Sequence, residues 1–476
     1  MKTLKQLADW LRIEWAGPDR KLGDLHLDSR KIRQGDVFVA LAGSRTHGLS
    51  FAPQAAARGA ALILTDRPDA RVQGIPCLSV AGLGDRLGAL ARWFYDAPDE
   101  RLAVIGVTGT NGKSSTCWFV AQLLEGLDVP AALIGTLGWG RPGQLQPLAN
   151  TTPDAPTLYR LLHGLATSGI EAVAMEVSSH AIELGRIDGL RFDTVALTQV
   201  RRDHLDFHGS EEAYRAAKAR LFTDWPSRRQ VLNLDDALGR ELATRCPNPV
   251  TYGTGPGAQV CCRQLTATES GLTGIIGFQH EEKPCRTPIL GLFNGENLAA
   301  ALAIVEKWGR PHHERLIEGL AALRPLEGRM EKVRDNPTVI IDYAHTPDGL
   351  EALLESVRAH WPDRTLWLVF GAGGERDRGK RRLMGEVADR LADRIILTSD
   401  NPRCEDPHAI MAQVAEGISR PHKQVPDRAR AIQIAMQCAA DDDVVVIAGK
   451  GHERTQQFCG ETRPFSDRDE ALKWRR

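Results

Sequence analysis

A chain of 476 residues exceeds what one hydrophobic core serves, and at roughly 150 residues per domain it predicts about three domains. With 42% hydrophobic and 25% charged residues, and 60 Lys and Arg against 61 Asp and Glu, the composition excludes a largely disordered chain and argues against nucleic-acid binding by bulk charge. No apolar run reaches the ~20 residues that span a bilayer and the first ten residues lack a signal-peptide core, so the expected location is the cytoplasm, with no membrane insertion. Nine cysteines, with Cys261-Cys262 the only close pair and no C-x-x-C spacing, predict reduced, scattered thiols.

In chain order, the first segment runs to about residue 98. Asp36 to Leu41, Ala60 to Thr65 and Cys77 to Val80 read as short strands among alanine-rich helical stretches, and Leu83 to Tyr95 as a closing helix. The polar, proline-bearing Asp96-Ala97-Pro98-Asp99-Glu100-Arg101 reads as a linker. A second segment, 99–325, opens on the apolar run Leu102 to Val107, with further strands at Ala172 to Val177, Thr194 to Thr198 and Val231 to Leu234. A third, 326–476, repeats the alternation with Val339 to Ile341, Leu366 to Phe370, Ile395 to Thr398 and Val444 to Ala448. Strands separated by helical spans predict an α/β fold built on parallel sheets with both faces covered.

Directly after the strand at 102–107 stands Thr108-Gly109-Thr110-Asn111-Gly112-Lys113-Ser114-Ser115, followed by a helical stretch through Leu124. Its glycines let backbone N–H groups turn inward on phosphate oxygens. The helix N-terminus adds partial positive charge, Lys113 a point charge and Ser114 a hydroxyl for Mg2+. Gly109, Thr110, Asn111, Gly112, Lys113, Ser114 and Ser115 are thus the expected nucleotide cradle, with Val107 standing where the general pattern has its first glycine. Glu176 lies at the end of an apolar strand, where an unpaired carboxylate is costly, and is read as a second oxygen ligand of the metal. The segment Arg202-Asp203-His204-Leu205-Asp206-Phe207-His208-Gly209 is too polar for a plain loop after a strand, which points to a ligand role for His204.

These motifs, with Glu176-Val177-Ser178-Ser179-His180 and the helix Tyr214-Arg215-Ala216-Ala217-Lys218, resemble the Mur ligases of peptidoglycan synthesis, ATP-dependent amide-forming enzymes of three domains. Matching motifs run from Asp28-Ser29-Arg30 to Gly449-Lys450-Gly451-His452-Glu453, nearly the whole chain. The resemblance implies a small α/β N-terminal domain for a UDP-sugar at 1–98, a central P-loop parallel-sheet ATPase domain at 99–325, and a Rossmann-like C-terminal domain for the incoming amino acid at 326–476. It also implies that CO2 carbamylates Lys218, turning an ammonium into a carboxylate that ligates a second Mg2+. A helix over Glu211 to Phe222 puts Tyr214 and Lys218 on one face. Catalysis would then fall to Lys113, Glu176, His204 and Lys218, with metal held by Ser114, Glu176, His204 and carbamylated Lys218. Further ATP contacts are implied for Asn294, Arg329 and Asp342. In the family the γ-phosphoryl group of ATP passes to a substrate carboxylate, and an amine attacks the acyl phosphate.

By the same resemblance, Leu27, Ser29, Ser44, Arg45, Thr46, Asn150, Thr151, Thr152, Ser178 and Arg186 match positions that hold the UDP-sugar and its peptide. Two departures are Leu184, where some relatives place glutamine, and the basic Val200-Arg201-Arg202. Asp400-Asn401-Pro402-Arg403 resembles the signature of members that add meso-2,6-diaminopimelate. A guanidinium fork suits the second carboxylate by which that amino acid differs from lysine. Arg376, Gly449 and Glu453 are the implied contacts to its carboxylate and ammonium groups. The expected activity is addition of meso-2,6-diaminopimelate to UDP-N-acetylmuramoyl-L-Ala-D-Glu by a monomer using ATP, Mg2+ and a CO2-derived carbamate. Rival readings are a lysine-adding member, a folylpolyglutamate-synthase-like ligase and, in another class, a nucleotide-binding scaffold that makes no bond.

Overall fold

Val37–Ala40 and Leu62–Thr65 are buried along their whole length, as strands covered on both faces must be. They are the middle strands of a four-stranded parallel sheet in the order Leu25–His26, Val37–Ala40, Leu62–Thr65, Cys77–Ser79. The computed structural model describes residues 2–43, 46–255, 257–279, 281–309 and 313–474. The chain divides into two units, 1–253 with 300–311 and 254–299 with 312–476.

The first unit also holds a larger sheet with Ala103–Thr108 at its middle. On one side lie Phe192–Leu197, Ser227–Asn233 and Val250–Gly253, all parallel to it. On the other lie Ala172–Glu176 and Ala131–Gly135, also parallel, with Gly138–Gly140 antiparallel at the edge. The chain leaves Ala103–Thr108 for one side and later returns to fill the other. The carboxyl end of that strand is therefore the switch point where open α/β sheets bind ligands. The helix Lys113–Gly126 starts there, with eight of its residues buried.

The second unit contains an antiparallel meander of Val260–Thr268, Gly271–Phe278 and Glu281–Thr287. The edge strand Glu281–Thr287 alternates half-buried and exposed side chains, so one of its faces meets water. The main sheet of this unit runs Glu331–Asp335, Thr338–Asp342, Val444–Ala448, Leu366–Phe370, Arg394–Leu397, Lys423–Gln424, parallel except for the first pair. Asp342, Gly371, Thr398 and Gly449 all stand at its carboxyl edge, the convergence expected of strand ends in one parallel sheet.

The expectation of wholly reduced cysteines is corrected. Cys404 and Cys459 form a disulfide across 55 residues, with Cα atoms 4.4 Å apart. Spacing along the chain could not reveal it, because the hairpin Thr455–Phe458 and Glu461–Pro464 folds back onto the segment after Asp400, where Arg403 N–H donates to the Gln457 carbonyl. The other seven cysteines are free. Among the described residues no helix is long and apolar enough to cross a membrane.

Candidate active site

At the switch point Gly109 (φ +149°) and Gly112 (φ +85°) take conformations that side chains disfavour. A Cβ on Gly109 would lie 1.8 Å from Thr198 Oγ1, so only glycine admits the loop against the neighbouring strand end. Thr198 Oγ1 donates to the Asn111 carbonyl at 2.7 Å, and Arg201 N–H donates to Thr110 Oγ1 at 3.0 Å. Lys113 Nζ folds over the loop and donates to the carbonyls of Gly109 (2.9 Å) and Thr110 (2.8 Å). The basic departure at Arg201 has a structural use as well, since its guanidinium pairs with the buried Asp236 at 3.2 Å.

Ser114 Oγ donates to Glu176 Oε1 at 2.9 Å, and the same oxygen accepts the Thr136 N–H at 2.8 Å. Glu176 is buried, and a Cβ on Gly135 would lie 2.3 Å from its Oε1. A hydroxyl and a carboxylate side by side at a phosphate loop are hard oxygen donors of the kind Mg2+ takes. Thr136 was not anticipated; its signal is its place directly after Ala131–Gly135, a strand the sequence reading did not name.

Lys218 is 1% exposed on the helix Glu211–Thr223. Its Nζ donates to the Gly109 carbonyl at 2.8 Å and lies 4.6 Å from the centre of the Tyr214 ring. Burial first, then the charge of Lys113, pushes its pKa well below the ordinary lysine value. The neutral amine so favoured is the form that adds CO2. His204 is not brought into this group: it is half-exposed, sits 3.4 Å from Asp203 and packs edge-on to His180, with no hydrogen bond to Glu176 or Lys218. Among the described residues no three His, Cys, Asp or Glu side chains are arranged as a metal cage.

Several residues expected to meet the UDP-sugar-peptide gather at the end of Ala172–Glu176. Thr152 Oγ1 donates to the Glu176 carbonyl (2.8 Å) and accepts the Ser178 N–H (3.1 Å), while Arg186 donates to the Thr152 carbonyl (3.0 Å). Thr151 Oγ1 lies 2.9 Å from Thr136 Oγ1, and Asn150 is exposed beside it. In the segments that follow strands of the four-stranded sheet, Ser29 is buried and donates to Gln54 at 2.7 Å, Leu27 is exposed, and Thr46 contacts Ser50. Ser44 and Arg45 lie outside the described residues. Leu184 follows the short helix Ser179–Glu183 as an exposed apolar side chain.

In the second unit Asp342 is buried at its strand end, accepting the N–H groups of Met330 (2.8 Å) and Ala344 (2.7 Å). Burial raises its pKa against the pull of Arg329, whose guanidinium lies 4.7 Å above the Tyr343 ring. Asn294 is buried and held by Leu290 and Asn297. Along the same sheet edge, Asn401 donates to Glu453 at 2.9 Å. The fully buried Lys450 donates to Glu453 (2.7 Å) and to Asn401 (3.1 Å). Burial opposes the charge of Glu453 most strongly, but the bond and charge of Lys450 and the Asn401 bond together hold the pKa below the usual range. Gly449 (φ +117°) leaves room for Asp400, whose pKa burial raises.

The side chain of Arg403 (φ +51°) donates once, to the Gly374 carbonyl at 2.7 Å, and among the described residues its other donors have no partner. Arg376 makes no hydrogen bond or ion pair at all among them. Both flank Gly373, where a Cβ would lie 3.3 Å from Arg403 Nη1 and 3.6 Å from Arg376 Cγ. Pro402 is buried, its carbonyl against Gly374. Two guanidiniums without an ion-pair partner among the described residues, at a strand edge that also carries Glu453, suit an amino acid with more than one carboxylate.

A phosphate loop at the carboxyl edge of one parallel sheet, and guanidiniums with a carboxylate at the edge of another, define an α/β enzyme that handles a nucleotide and anionic substrates. Family models match in three stretches: "Mur ligase family, catalytic domain" over 24–94, "Mur ligase middle domain" over 107–305, and "Mur ligase, glutamate ligase domain" over 328–451. A UDP-N-acetylmuramoyl-L-alanyl-D-glutamate--2,6-diaminopimelate ligase of Alkalilimnicola ehrlichii is 44% identical, over 99% of this chain and 98% of its own. One of the same name from Pseudomonas aeruginosa is 43% identical over 95% of each chain. A solved structure of a ligase of that name superimposes with a TM-score of 0.71 and 35% identity over 98% of both chains. The chain belongs to the Mur ligase family.

Proposed function

We propose that this protein is an ATP-dependent ligase joining meso-2,6-diaminopimelate to the D-glutamate γ-carboxylate of UDP-N-acetylmuramoyl-L-Ala-D-Glu, a step of peptidoglycan precursor synthesis. The observation that carries the reading is the pair of guanidiniums beside Gly373, Arg376 and Arg403, which pair with no carboxylate among the described residues. The full-length similarity to ligases bearing that name supports it.

In this reading the loop N–H groups and Lys113 hold the ATP phosphates. The substrate carboxylate takes the γ-phosphoryl group and ADP is released. The amine lone pair then attacks the acyl carbon, its proton is lost, and phosphate leaves as the amide forms. Mg2+ fits the oxygen pair of Ser114 and Glu176, where it would neutralise phosphate charge; His204 and a carbamate on Lys218 complete the set by resemblance alone. Lys218 acquires that carbamate when its neutral nitrogen adds to CO2 with loss of one proton. Residues up to about 98 bind the uridine nucleotide, the middle segment binds ATP, and the segment from about 326 selects the amine. The enzyme acts as a monomer in the cytoplasm.

Arg403 sets the choice of amine. A site built to pair a carboxylate rejects lysine, because the guanidinium would stay unpaired. Purified protein with ATP, Mg2+ and the UDP-dipeptide is expected to release phosphate with diaminopimelate and form a product heavier by that residue, with little release for lysine. Equal turnover of the two amines refutes the role of Arg403. Nucleotide hydrolysis indifferent to any amine refutes the ligase.

A further inference from the structure

The helix Gly379–Leu391 carries an arginine, Arg381, whose side chain is 1% exposed. Its Nη1 donates to Glu405 Oε2 at 2.9 Å, and its Nη2 to Glu405 Oε1 at 3.1 Å and to the Gly373 carbonyl at 3.1 Å. A bidentate guanidinium–carboxylate pair of this kind fixes direction as well as distance. Glu405 stands two residues beyond Arg403 and also accepts the N–H of Glu375. Between these two points Gly374 N–H donates to the Asn401 carbonyl at 2.9 Å. Three successive residues, Gly373 to Glu375, are therefore pinned, two of them by the Arg381–Glu405 pair. The loops touch backbone to backbone, since a Cβ on Gly374 would lie 1.9 Å from the Pro402 carbonyl oxygen.

The Gly374 carbonyl held in this way is, among the described residues, the one acceptor of the Arg403 side chain. We propose that Arg381 and Glu405 form a clasp that positions Arg403 and thereby sets the preference for an amino acid bearing a second carboxylate; this rests on the function proposed above. Arg381 is a positioning residue: it is enclosed by protein and acts through Gly373, Glu405 and Gly374. A guanidinium is needed because one side chain must reach two carboxylate oxygens and a carbonyl in a fixed fork, which an ammonium cannot do. The acidity of Glu405 agrees: its hydrogen bond from Arg381, then that from Glu375 N–H, hold its pKa at about 2, so the clasp stays charged at neutral pH.

The test is a double-mutant cycle on the whole enzyme, with KM and kcat measured for diaminopimelate and lysine. Arg381→Lys is expected to raise KM for diaminopimelate by about tenfold and to narrow its advantage over lysine by a similar factor, with KM for ATP within about twofold of the parent. In an Arg403→Ala background the same change is expected to add nothing to the loss of preference. Losses that multiply in the double variant, or an unchanged ratio in a folded Arg381→Lys enzyme, overturn the clasp. Glu405→Gln, nearly isosteric, repeats the test if Arg381→Lys does not fold, and the same coupling to Arg403 is required of it. Wild-type enzyme that releases no phosphate with diaminopimelate overturns the proposed function, and the role of the clasp with it. Wild-type turnover with an additive cycle overturns the clasp alone.

Discussion

Replacing Lys218 with methionine is expected to make the protein more stable while removing its activity. Among the described residues the buried nitrogen has one acceptor, the Gly109 carbonyl, worth about 1 kcal/mol net. Against that stands the difference in proton binding between the two states. Burial and the charge of Lys113 depress the pKa in the folded protein, whereas in the unfolded chain the amine keeps an ordinary value near ~10.4. At neutral pH the unfolded chain therefore binds the extra proton, and folding gives it up. Stability rises with pH wherever the unfolded state binds more protons, so the handicap is present at pH 7 and disappears as pH approaches the unfolded value. Replacing a buried ion pair by apolar groups of similar volume stabilises by about 1–4 kcal/mol; the same range applied to this single buried amine leaves a net gain of about 0–3 kcal/mol after the lost hydrogen bond.

The assay is urea unfolding of both proteins in CO2-free buffer at pH 7 and pH 9.5, beside phosphate release with bicarbonate present. The variant is expected to lead at pH 7, the gap to shrink at pH 9.5, and its turnover to be abolished. Bicarbonate, as a source of CO2, is expected to stabilise the wild type only, through the carbamate formed on the neutral amine of the folded protein. A variant less stable than wild type at pH 7, or a gap indifferent to pH, refutes the argument that the amine is buried in its neutral form. Full activity in the variant refutes the part given to its carbamate.

Gly135→Ala puts a Cβ 2.3 Å from Glu176 Oε1, which must turn away from Ser114; we expect turnover to fall at least tenfold with a stability loss of about 1–3 kcal/mol, measured by phosphate release and urea unfolding. Arg428 and Asp467 form an ion pair with neither side chain exposed, so Arg428→Ala, which strands the carboxylate, is expected to cost about 3–5 kcal/mol in the same unfolding assay. The double change Arg428→Met with Asp467→Leu should recover most of that. Denatured, unreduced protein purified without reductant should titrate seven thiols, rising to nine after reduction; nine from the outset would contradict the Cys404–Cys459 link.

What is legible in this sequence is what is local. A strand covered on both faces needs an unbroken apolar run, and Leu366 to Phe370 and Val444 to Ala448 are readable to the residue for that reason. The phosphate loop is readable because strand, glycines, lysine and helix follow one another within a few turns of chain. The meander at 260–287 is not, because its outer strand, Glu281–Thr287, is mostly polar and one of its faces is wet, so no continuous apolar run marks it. Strand ends can be named from sequence because parallel topology sends their tips to one edge; Asp342, Asp400 and Gly449 meet there.

A motif names the residue that meets the substrate but not what holds that residue still. Arg403 stands out because four consecutive residues resemble a signature, whereas Arg381 and Glu405 lie 24 residues apart on a helix and a loop, two charged side chains among 121. Their pairing becomes visible only when the helix Gly379–Leu391 is laid against the loop beyond Asp400. The chemistry of selection therefore divides in two. The guanidinium that contacts a carboxylate is written in adjacent letters. The direction in which it points is set by a buried pair distant in sequence, whose removal should change preference before it changes turnover.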